Sequence, residues 1–168
     1  MCLLTNQTEL AKIRVPVHCY KVISHVKDKM CDDTPDYVTP MRKSTITSDM
    51  LNGYVEFVAS ECNNIIKPVT EGITTPCWFR RYKNYIEDGL IHCFIDLSDA
   101  IEFMHACKSN CTSQHIWKVE IPEGASFAEG VFGYCFEEDF RPNKCRQIAA
   151  NKIRFIKEIT NDVNEEKA

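Results

Sequence analysis

No C-x-x-C pair occurs in this chain, so the local signature of a zinc ribbon or of a thioredoxin-type redox motif is missing. No apolar run is long enough to cross a bilayer, and the opening MCLLTNQTEL turns polar by Thr5. The expectation is therefore no membrane span and no secretory leader. Strongly basic stretches are also lacking. The densest are MRK at 41–43 and FRRYK at 79–83, within a formal net charge of −4. Binding along a nucleic-acid phosphate backbone is not expected from such a balance. Neither G-x-G-x-x-G nor a Walker loop is present, and no internal repeat or low-complexity segment stands out.

What is present reads as a globular domain. The 168 residues, 44% of them apolar, suffice for one core without staples. A single domain over 1–160 is expected, followed by a polar tail at 161–168. Ten cysteines lie at positions 2, 19, 31, 62, 77, 93, 107, 111, 135 and 145. With no export signal, they read as reduced thiols in a cytoplasmic protein.

Periodicity predicts the elements. TELAKI suits a short helix capped by Thr8. VPVHCYKVI and GYVEFVAS read as strands, and residues 25–52 as a long loop. ITTPCWFRRYKNYIEDG is ambiguous between a strand with a turn and a lid. LIHCFI is a continuous apolar run fit for a buried strand, and DLSDAIEFMHACK follows it as a helix. HIWKVEI alternates, with His115, Trp117, Val119 and Ile121 on one face. PEGASFAEGVFG reads as a glycine-punctuated loop, RPNKCRQIAAN as holding a short helix, and KIRFIKEI as a final strand. The fold class expected is α+β: a mixed β-sheet with a strand–helix–strand unit over about 90–121 and a C-terminal strand.

The crowding of His105, Cys107, Cys111 and His115 raises a metal site. Helix geometry argues against it. On one helix His105 and Cys107 point about 160° apart, and Cys107 and Cys111 fall in or beside the apolar stripe. Core packing is the expectation, with no metal and no cofactor. A thiol dyad fails for a similar reason. His92 and Cys93 are strand neighbours and face opposite ways, as are His18 and Cys19. His92 remains either a core histidine or a polar group at a strand end. The acidic groups from Glu120 to Asp139 read as solvated surface. The segment CWFRRY is the candidate binding site. Trp78 and Tyr82 offer stacking surfaces, and Arg80 and Arg81 offer planar forks for an anion or a partner.

Four signatures occur in order: CYKVI, EDGLIHCFIDLSDAI, IWKVEIPEGASFAEGVFG and AANKIRFIKEI. Together they resemble small proteins of bacteria and their phages with a Y-K-V strand, a G-x-x-H-x-F strand and helix, an I-P-x-G loop and a closing K-I-x-x-x-x-E strand. That resemblance implies a domain type, in a host cytosol if phage-encoded, and no activity. The glycine–histidine–aromatic strand preceding a helix near Ala100 also resembles ADP-ribosyltransferase-like folds. That family's catalytic set is histidine, tyrosine and glutamate, or arginine, serine and glutamate. His18 could occupy its early-strand position, but no later glutamate can be assigned, so no catalytic residue is carried over. The function expected is a non-enzymatic module binding a partner protein or a small anionic ligand through Trp78, Arg80, Arg81, Tyr82 and His92. An ADP-ribosyltransferase-like or other nucleotide-handling enzyme and a zinc-binding protein are the alternatives.

Overall fold

The structure, a computed structural model, describes residues 2–27, 37–38, 45–47, 49–56, 64–69, 82–86, 89–106, 112–133 and 145–160. In chain order the strands are β1 (Cys2–Thr5), β2 (Ala11–Lys12), β3 (Val17–Val26), β4 (Tyr37–Val38), β5 (Thr45–Ile46) and β6 (Tyr54–Glu56). Then come β7 (Lys67–Pro68), β8 (Asn84–Ile86), β9 (Ile91–Phe94), helix α1 (Leu97–Ala106), β10 (Thr112–Ile121), β11 (Ser126–Gly133), β12 (Arg146–Ala150) and β13 (Lys152–Glu158). A 3-10 turn at Met50–Asn52 leads into β6. The main path of the sheet runs β6-β13-β10-β3-β9-β12-β11-β1-β8-β7.

This corrects the α+β expectation. Among the described residues, every pairing is antiparallel and one short helix accompanies the strands, so the fold is β-rich. The sheet is not mixed. β9 and β10 do not pair around α1, because β3 lies between them and bonds antiparallel to both. Two further expectations fail for a shared reason. PEGASFAEGVFG is mostly strand β11, and the segment read as a short helix before Asn151 is strand β12; these two pair with each other. Nor is TELAKI helical. Ala11–Lys12 pairs with β11, while β1 is inserted between β11 and β8. Tertiary pairing outweighs local propensity in each case.

The sheet must roll up. β12 and β13 are four strand spacings apart in the sheet order, about 19 Å if flat. Only Asn151 separates them, and two Cα steps reach about 7.6 Å at most. β10 and β11 are likewise four spacings apart and joined by four residues, 122–125. Asn151 fastens the closure. Its N–H donates to the Ser126 carbonyl at 3.0 Å, and its side-chain oxygen accepts from the Ser126 N–H at 2.8 Å. Gly124 turns the β10–β11 corner at φ +83°, and its N–H donates to the Ile13 carbonyl.

Rolling gives the central strands two buried faces. The inner face carries Cys19, Ile23, Cys93, Val119, Ile148 and Phe155. On the outer face Val22, Phe94 and Ile116 pack beneath Ala100, Phe103 and Met104 of α1. The two sides of this contact meet at Phe94 and Phe103, with ring centroids 5.1 Å apart. Cys107 and Cys111 lie outside the described residues. His105 is exposed at the end of α1.

Candidate functional site

Two places in the described structure gather polar side chains. The first is on the inner face toward the Ser113 end of β10. Cross-strand register puts Val119 opposite Cys19, Trp117 opposite Lys21, His115 opposite Ile23 and Ser113 opposite His25. β13 adds Glu158 opposite Trp117, after a bulge between Lys118 and Val119. The inner face is therefore apolar around Val119 and polar toward Ser113, because the same alternation continues past the core residues.

Within it, His115 Nδ1 lies 2.5 Å from Glu158 Oε1, and Ser113 Oγ lies 2.9 Å from His115 Nε2. The His115 and Glu158 side chains keep 31% and 36% of their surface exposed. The His25 ring meets the His115 ring edge-on at 6.2 Å. Trp117 stacks edge-on against Phe155 and closes the apolar side.

Deeper in the same face lie Lys21, Cys19 and Cys93. Lys21 is 4% exposed, and its Nζ donates to the His92 carbonyl at 2.8 Å. A hydrogen bond from Cys19, assisted by the Lys21 cation, holds the Cys93 thiol below its ordinary range, while the bond to Cys93 and burial push Cys19 well up. Both are free thiols, as is Cys145. Among the described residues, no group of three histidine, cysteine or acidic side chains is placed to hold a metal ion.

The second place is the β7–β8 edge. Tyr82 and Tyr85 pack half-buried against Leu4 and Val131. The Lys83 N–H donates to Asn6 Oδ1, and the Lys83 carbonyl accepts from Val69 N–H. Lys67, opposite Tyr85, and Lys83 are exposed. Among residues 64–69 and 82–86, both charged side chains are lysines.

Of the residues expected to bind, Trp78, Arg80 and Arg81 lie outside the described residues. Tyr82 stands on the β7–β8 edge. His92 is elsewhere, 4% exposed on β9 opposite Ala149. His18 points away from Cys19, is half exposed and lies 3.4 Å from Glu120. Glu120 also takes Arg154, and Glu129 takes Arg146, so these two acids serve surface ion pairs. Sequence reasoning missed Ser113 and Glu158. The i, i+2 spacing of Ser113 and His115 was available, but the arrival of Glu158 depends on the β10–β13 register and its bulge. Among the described residues, no helix is long and apolar enough to cross a membrane. The chain matches no protein family, no curated protein and no solved structure.

Proposed function

We propose that the chain is a binding module for a small anionic ligand, taken at the β7–β8 edge and the Trp78–Tyr82 segment that leads into it. The observation that supports this is the pairing of charge and aromatic surface at that edge. Lys67 and Lys83 are exposed beside the half-buried rings of Tyr82 and Tyr85. In the sequence, Arg80 and Arg81 directly precede the anchored Tyr82 and add two guanidinium forks to the same sign of charge. Arginine pairs bidentately with phosphate or carboxylate, while a neighbouring ring offers a stacking face. A partner protein presenting an acidic group would engage the same chemistry.

The test is calorimetric titration with inorganic pyrophosphate and with ADP. Saturable binding by the wild-type protein is expected, lost when Arg80 and Arg81 are both changed to Ala with the thermal melt preserved. Absence of binding to both probes, or unchanged binding by the double variant, overturns the reading.

A further inference from the structure

Among the described residues, the Ser113–His115–Glu158 array is the strongest chemistry that the binding edge does not use, and it lies on different strands from β7 and β8. We propose that it is a nucleophilic acyl-transfer site, with Ser113 as nucleophile, His115 as general base and Glu158 as the positioning residue, acting on esters.

The proton positions follow from the partners. The Glu158 carboxylate only accepts, so His115 Nδ1 carries the hydrogen that it donates at 2.5 Å. A neutral imidazole then has its lone pair on Nε2, and the Ser113 hydroxyl donates to it at 2.9 Å. Nucleophile to Nε2 and carboxylate to Nδ1 is the connectivity that activates a serine hydroxyl. Three strand relationships fix it. Ser113 and His115 share a face of β10 by alternation, and β13 delivers Glu158 beside Trp117. His25, opposite Ser113 on β3, meets the imidazole from the other side. The partial exposure of His115 and Glu158 leaves the array open to a substrate from solvent.

The reaction balances without a cofactor. Ser113 Oγ adds to the ester carbonyl carbon as its proton passes to His115 Nε2, and Glu158 stabilises the imidazolium. Collapse of the tetrahedral adduct breaks the bond to the leaving alkoxide, which takes the proton from Nε2. Water then adds to the acyl-Ser113 by the same route. Carboxylic acid leaves and the free hydroxyl is restored.

The experiment is labelling of the full chain with a fluorophosphonate ester, read by intact mass and peptide mapping. One adduct at Ser113 is expected, absent in Ser113→Ala. The labelling rate should fall on the order of 100-fold in His115→Gln. In Glu158→Gln the rate should fall, and Glu158→Asp should recover part of it, because a carboxylate again accepts the Nδ1 hydrogen. A residue that merely supports the fold would give equal labelling rates in the two Glu158 variants once both are shown to be folded. Circular dichroism melts certify that each variant is folded. No adduct at Ser113 on folded wild-type protein overturns the proposal, as does a labelling rate that His115→Gln leaves unchanged.

Discussion

The Lys21 side chain crosses from β3 to β9 and donates to the backbone carbonyl of His92 at 2.8 Å, inside the roll and 4% exposed. β3 and β9 meet at one residue pair, Tyr20 with Phe94. Where the ladder gives out, the amine serves the carbonyl that a backbone N–H would otherwise satisfy. Lys21→Ala should remove both the bond and the packed stem, at a cost of about 2–4 kcal/mol. Lys21→Met keeps the stem but takes the amine from the His92 carbonyl, so it should cost about 1–3 kcal/mol, less than Lys21→Ala. Urea unfolding of the two variants decides. Equal losses would show that the stem, the bond or both have been misjudged.

Gln147 gives the opposite expectation. It is fully buried on β12, between Phe94 of β9 and Gly130 of β11, and neither amide atom has a hydrogen-bond partner among the described residues. An unsatisfied buried amide costs about 1–3 kcal/mol. Gln147→Met keeps length and removes that cost, so its melting temperature should rise. A fall would mean that the amide has a partner the change destroys.

How legible the fold was depends on where each signal resides. The alternation of HIWKVEI put Trp117, Val119 and Ile121 on one face, and the strand keeps them together on the inner face, while Ile116 of the other face is buried beneath α1. LIHCFI read as buried because β9 is covered on both faces, by the roll's interior and by α1. The segment after Pro122 misled because glycine is a turn signal, and here Gly130 is used for close approach inside a strand. The rolled sheet was illegible for another reason. It follows from which distant strands pair, and the brief β12–β13 connection carries that information only once the pairing is known. The same holds for the candidate catalytic array. Ser113 and His115 were two residues apart in view, whereas Glu158 joins them across a sequence separation of 43.

Cys145 makes stability depend on pH. Burial first, then the nearby charges of Asp99, Glu102 and Asp96, push its thiol from 9.0 up to about 12. In the unfolded chain the thiol loses its proton near the ordinary value, while in the folded chain it keeps it. Above pH 9 the unfolded state therefore binds fewer protons, and stability falls as pH rises toward 12; below pH 9 this group contributes no slope. The urea midpoint should drop more steeply between pH 9 and 11 in the wild type than in Cys145→Ala. Parallel curves would remove Cys145 from the account. The native thiol should also resist iodoacetamide at pH 8, since thiolate is the reactive form.

Gly130 tests the seam between the rolled part of the sheet and the β1–β8–β7 extension. A Cβ placed on it would lie 1.9 Å from the Leu4 carbonyl oxygen and 2.9 Å from the Leu4 carbonyl carbon. Both are backbone atoms of β1, so relief requires moving a strand and not a side chain. Leu3 and Leu4 are fully buried on that strand, which leaves it little freedom to retreat. Gly130→Ala should therefore destabilise by about 2–4 kcal/mol, although alanine ordinarily costs less than glycine within a strand. Gly124→Ala is the useful companion. Its Cβ meets nothing within 4 Å, and only its φ of +83° opposes the change. Its loss should be about 1 kcal/mol and should act at the turn alone. Thermal melts of the pair, with hydrogen exchange at Leu3 and Leu4, separate the effects. Exchange should quicken in β1 for Gly130→Ala and stay as in wild type for Gly124→Ala. Equal protection of β1 in both variants would mean that the seam yields where the geometry says it cannot.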